Sequence, residues 1–201
     1  MPSTKLDRIL FLGTGLLAAY QVTTGIDKLS PGPILAFTIA FGILLLTSLF
    51  FLIFGLDGFS SPIPGISSTL IPLSMGLGLV LQHFPRYSTL YLVYTIVGLI
   101  LVLLTGLIRY HRPIHTITIT VVHGIAGLTI CIIPAAIVIL GRMQFWYIFV
   151  AIGGACIGLG GILFSVFRFD PKKLPWKINL HFFPALLFLM TLCYVLGFHF
   201  G

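Results

Sequence analysis

The sequence predicts an all-α integral membrane protein, a seven-helix bundle forming one polytopic membrane domain over residues 1–201. Three observations carry that prediction. Hydrophobic residues make up 58% of the chain and charged ones 7%, against about 25% charged in soluble domains, so too few polar groups exist to cover a surface facing water. The mean hydropathy is +1.16. The apolar residues also fall into runs of about 20, the length that crosses a ~30 Å hydrocarbon layer as a helix.

Span one, about 9–26, follows Lys5 and Arg8 and opens on "ILFLGTGLLAAY". It imitates a signal peptide, but no small-x-small cleavage site follows and further apolar runs do, so it is expected to be retained. Gln21, Thr23 and Thr24 dilute its far end. Span two covers about 33–55. Span three, about 62–84, is the most polar and interrupted, with Pro62, Pro64 and Pro72 among serines and threonines. Proline frees backbone carbonyls that hydroxyls, water or a ligand must satisfy. Span four covers about 88–108.

Span five, about 113–140, contains "TITITVV", a strand signal in water. Inside so long an apolar segment, backbone satisfaction enforces a helix, and Pro134 is expected to kink it or end it early. Span six, about 145–168, carries "AIGGACIGLGG", where Gly154 and Gly158 form a GxxxG pair suited to close helix packing. Span seven, about 180–199, follows the basic link "RFDPKKLPWKIN" and holds Pro184.

Charge placement orients these spans. Lys5, Arg8, Arg109, Arg112, Arg168, Lys172, Lys173 and Lys177 fall on one side, and Lys28, Arg86 and Arg142 on the other. The positive-inside rule therefore puts the N-terminus in the cytoplasm and the C-terminus outside. The expected location is a bacterial or archaeal inner membrane. A weak 3+1+3 repeat is suggested because "FFLIFGLDGFSSPIPG" and "GILFSVFRFDPKKLPW" both run from phenylalanines through an Asp to prolines. Pro72 and Pro184 follow at comparable depths.

Several chemistries are excluded. The net charge of +7 is scattered in ones and twos, so no nucleic-acid stripe exists. The acids are Asp7, Asp27, Asp57 and Asp170, all in loops or at span ends, which argues against carboxylate-coupled transport. Span seven has no mid-helix lysine for a retinal, and there is no P-loop. Cys131, Cys156 and Cys193 form no CxxC pair and are expected to be buried thiols.

The histidines are the remaining candidates. His115 and His181 open spans five and seven, His83 and His199 close spans three and seven, and His111 lies in a loop. A polar tip on an apolar body suits such interfacial positions. Pro113 separates His111 from His115, which disfavours a zinc pair on one helix. His123 alone is deep, ten residues past Pro113, or about 15 Å at 1.5 Å each. A polar ring there has no water to pair with, so it should face the bundle interior and mark a site.

The expected function is therefore non-enzymatic: a carrier, channel or binding protein for a neutral or weakly polar small molecule. Its site would lie among kinked spans three, five and seven. His123 would anchor the ligand, Ser67, Ser68, Thr69, Ser74 and Gln82 would line the site, and Pro72, Pro134 and Pro184 would bend the helices. The alternative is a haem b electron-transfer subunit with axial pairs His115–His181 and His83–His199. A second alternative is a structural subunit of a larger membrane complex. The lipid bilayer is the expected partner, with a homo-oligomer or companion membrane subunits in the last case.

Overall fold

The computed structural model describes the backbone of residues 3–26, 29–61, 63–107, 112–169 and 176–201, and the side chains of these except 60, 107, 112–113, 160–169 and 176–181. Among the described residues the chain forms seven α-helices: α1 (Lys5–Thr24), α2 (Pro31–Phe54), α3 (Ile63–His83), α4 (Ser88–Leu107), α5 (Arg112–Ile139), α6 (Ile148–Phe169) and α7 (Trp176–Phe200). Short 3-10 turns at Gly55–Ser60, Pro85–Tyr87 and Phe145–Tyr147 join α2 to α3, α3 to α4, and α5 to α6.

Local chemistry sets the ends. α1 begins four residues before the expected apolar start because of a capping box. The Asp7 N–H donates to Thr4 Oγ1 at 3.1 Å, and the Thr4 N–H donates to Asp7 Oδ2 at 2.8 Å, so two otherwise orphaned amides are satisfied. α2 begins on Pro31, which suits the first helical turn. α5 ends where Gly141 turns to φ +67°. The N–H groups of Arg142 and Gly141 then reach Ile137 O and Val138 O, both at 2.9 Å, closing a Schellman-type cap.

Pro72, Pro134 and Pro184 all lie inside continuous helices. The expected early stop at Pro134 does not occur, and α5 runs one more turn to Ile139. Among the described residues, five segments are long and apolar enough to cross a membrane: Pro31–Phe59, Ile63–His83, Pro85–Gly106, Ile114–Ile139 and Phe182–Phe200. Large aliphatic side chains such as Leu46, Ile53, Leu90, Leu128 and Ile139 are exposed. Lipid, not water, is the solvent for that surface.

The packing order is a closed ring with one helix left out. α1 packs on α2, α2 on α3, α3 on α5, α5 on α6, α6 on α7, and α7 returns to α1; α4 lies across α3 and α5. The difference in enclosure is large. In its most apolar stretch α3 is 61% buried, whereas α4 is 11% buried.

Two separate apolar clusters follow. The main one fills the ring. At the end that carries the N-terminus, the Phe11 and Phe51 rings stack at 5.1 Å, and Phe183 meets Phe51 at 5.3 Å and Phe59 at 4.9 Å. At the opposite end Phe198 lies 4.7 Å from Phe37 and 5.9 Å from Tyr147. The second cluster is small: Leu73, Val102, Val122 and Ala126 bind α4 to α3 and α5.

The glycines of α6 divide their work differently from a GxxxG face. A Cβ on Gly154 would lie 3.0 Å from the backbone of Ile130 and Cys131 on α5, and one on Gly153 would strike the Tyr194 ring on α7. Gly158 has nothing within 4 Å among the described residues. Adjacent glycines thus admit two neighbours, because consecutive helical residues point about 100° apart.

Candidate functional site at the α3, α5 and α6 junction

His123 lies eleven residues into α5, on the turn that also carries Val122 and Ala126. Its ring faces backbone groups of Ser68 on α3 and Ile157 on α6. Yet Nε2 is buried and makes no hydrogen bond of standard geometry. A buried imidazole nitrogen left in this state costs about 1–3 kcal/mol. Three elements converge on it because α5 is the one helix that packs on both α3 and α6.

The hydroxyls of α3 are largely committed to their own helix. Ser67 Oγ donates to Pro64 O at 3.3 Å, Ser68 Oγ to Gly65 O at 3.0 Å, and Thr69 Oγ1 to Gly65 O at 3.1 Å. Their protons are spent, but each oxygen keeps acceptor capacity. Ser68 is the one whose turn meets His123. Ser67, Thr69 and Ser74 are buried elsewhere on α3, and Pro72 is buried between them.

Other candidates lie apart from this junction. Pro134 is buried in α5 about three turns beyond His123. Pro184 is buried in α7, which packs on α1 and α6 across the ring. Gln82 sits at the far end of α3, where its Oε1 is 3.5 Å from the Tyr147 hydroxyl.

The end histidines meet separate partners. His83 Nε2 lies 3.1 Å from the Tyr147 hydroxyl, and His199 Nδ1 lies 3.4 Å from that of Tyr20. His115 Nδ1 lies 3.1 Å from Thr105 Oγ1 on α4. His111 and the side chain of His181 fall outside the described residues. No group of three or more His, Cys, Asp or Glu side chains among the described residues is arranged to hold a metal ion.

Two residues that sequence reasoning passed over frame the site from α4. The Tyr94 hydroxyl donates to Val122 O at 2.6 Å, clamping the residue before His123. Tyr91 stands 5.2 Å away, ring to ring. Its hydroxyl is buried, seated over Gly76 of α3 and facing the Thr129 side chain of α5. The signal was the pair of tyrosines at i, i+3 inside the aliphatic run "STLYLVYTIVGLILVLLTGL", where a phenol needs a partner.

Among the described residues, two further buried atoms lack a hydrogen bond of standard geometry, Gln21 Oε1 and the Tyr194 hydroxyl. Gln21 already uses its Nε2 on Gly25 O at 2.7 Å. Tyr194 is fully enclosed among the thiols of Cys131, Cys156 and Cys193, which are weak acceptors. Comparison with family models, with characterised proteins and with solved structures finds no match for this chain.

Proposed function

We propose that this protein is a seven-span membrane carrier, channel or binding protein for a small neutral molecule, which His123 engages by a hydrogen bond. The observation that carries this reading is the buried Nε2 of His123, which faces the backbone of Ser68 and Ile157 at the meeting of three helices without a hydrogen bond of standard geometry. A folded membrane protein keeps such a costly group for a reason, and binding is the use that repays the cost.

The span count rests on length as well as hydropathy. α1 has 20 residues and α6 has 22, about 30 Å or more at 1.5 Å each. The apolar part of α1 is shortened by Lys5, Asp7 and Arg8 in its first turn. The asymmetry of lysines and arginines supports a cytoplasmic N-terminus. The packing order supports a 3+1+3 arrangement: α1–α2–α3 and α5–α6–α7 are each contiguous, and α4 is the linker outside the ring.

In this arrangement α3 carries Pro72 about one turn beyond Ser68, and α5 carries Pro134 about three turns beyond His123. The proline-freed carbonyls and the serine acceptors suit a ligand that donates or accepts one or two hydrogen bonds. The test is His123→Ala. The variant should purify as a folded monodisperse protein and fail to take up or bind the ligands that stabilise the wild type in a thermal-shift screen of neutral metabolites. Retained stabilisation by the same ligand would refute the assignment. An absorption spectrum taken before and after dithionite decides the haem alternative, since a Soret band that shifts on reduction would displace this reading.

A further inference from the structure

The geometry points to a lateral route: the ligand reaches His123 from within the bilayer, through the α3–α5 seam that α4 covers. It is therefore a membrane-dissolved amphiphile bearing a hydroxyl or carbonyl. This inference rests on the His123 reading and adds the substrate class and the path.

Three observations carry it. First, the routes along the ring axis are filled. Phe37, Phe41, Phe51 and Tyr194 are 0–2% exposed, and their rings interlock at both ends of the bundle. Second, α4 stands outside the ring and belongs to a separate, smaller cluster, so it can part from α3 and α5 without opening the main core. Third, polar contacts of α4 lie along the seam that leads to the site. Tyr94 holds Val122 O, Thr105 meets His115, and the Tyr91 hydroxyl sits between Gly76 of α3 and Thr129 of α5.

A displaced α4 would uncover Val122 and the turn that carries His123, and would leave the two tyrosine hydroxyls at the opening. The outer face of α4 is aliphatic, with Leu90, Val93, Ile96 and Val97 exposed. A molecule arriving there comes from lipid, because water is excluded from that depth. Its apolar part is solvated throughout the path, and its polar end passes from the tyrosines to His123.

The structure also supplies the lock. A Cβ built on Gly98 of α4 lies 3.9 Å from the Val122 Cβ of α5, within the span of about 3.5–4.5 Å that a disulfide requires. The double variant Gly98→Cys with Val122→Cys, reconstituted in phosphatidylcholine and phosphatidylglycerol liposomes, is photolabelled with azi-octanol, a bilayer-partitioning alcohol carrying a diazirine. Adducts are mapped by mass spectrometry.

In the reduced protein, adducts should cluster around Ser68, His123 and Ile157. Closing the disulfide should lower them by about tenfold or more, and dithiothreitol should restore them, as expected when the open state is removed from the population. Adducts that disappear in His123→Ala but ignore the disulfide would overturn the route and keep the site. No adduct near His123 in the unlocked protein would overturn both. Should the double variant fail to fold, Tyr94→Phe carries the test alone: release of Val122 O should speed labelling, and an unchanged rate would count against the route.

Discussion

Around Phe51 and around His123 the same apolar alphabet builds two different interiors. Phe51 is fully buried and touches Phe11, Phe59 and Phe183 ring to ring. Every surface there is matched and nothing polar is left over. Around His123 the ring faces backbone groups of Ser68 and Ile157, and its buried Nε2 makes no hydrogen bond of standard geometry. The contrast separates a region selected for filling space from one that tolerates an energetic cost. It also indicates which substitutions should hurt stability and which should hurt only binding.

The largest effect should come from emptying the matched region. Phe51→Ala removes a ring stacked on Phe11 and packed against Phe59 and Phe183 and should lower unfolding free energy by about 3–5 kcal/mol, read by thermal unfolding in mild detergent. A loss below about 1 kcal/mol would erase the contrast, since the region would then behave like a lipid-facing surface.

Next come the glycines of α6. Gly154→Val places atoms against the α5 backbone, 3.0 Å away, and should cost about 1–3 kcal/mol or more. Gly158→Ala meets no described neighbour and should change stability by about 0.5 kcal/mol or less. Equal effects at both positions would mean that the packing assigned to α5 and α6 is wrong.

His123→Leu sharpens the comparison most because its sign is unusual. Removing a buried nitrogen that lacks a hydrogen bond of standard geometry should stabilise the protein by about 1 kcal/mol while abolishing photolabelling at the junction. A clear fall in melting temperature would show instead that the imidazole holds the bundle together. The smallest effect is expected for Tyr94→Phe, which loses one hydrogen bond to Val122 O and about 1 kcal/mol or less. Its signature should lie in labelling rate rather than in stability.

Much of the helix plan was legible in the sequence. The boundaries of α2, α3, α4 and α5 fall within a residue or two of the expected spans because apolar runs in lipid have one low-energy backbone, the helix. α1 and α7 start earlier than hydropathy suggests. Capping by Thr4 and Asp7 extends the first, and Trp176 begins the second inside the basic link. His123 stood out from depth alone. Tyr91 and Tyr94 did not, although an i, i+3 pair of phenols in an aliphatic helix was visible.

The arrangement of the helices was not legible. In water a hydrophobic stripe marks the face that turns inward, but in lipid the outward face is as apolar as the inward one. The residues of α4 therefore do not say that it lies outside the ring, nor those of α7 that it closes on α1. The sequence by itself determined that this chain is helical, lipid-solvated and made of apolar runs that only a membrane accommodates, because hydropathy and backbone satisfaction are local properties. Tertiary structure alone decided that Ser68, His123 and Ile157 share a junction and that α4 covers the seam beside it, because those outcomes depend on which side chains interlock across helices far apart in the chain.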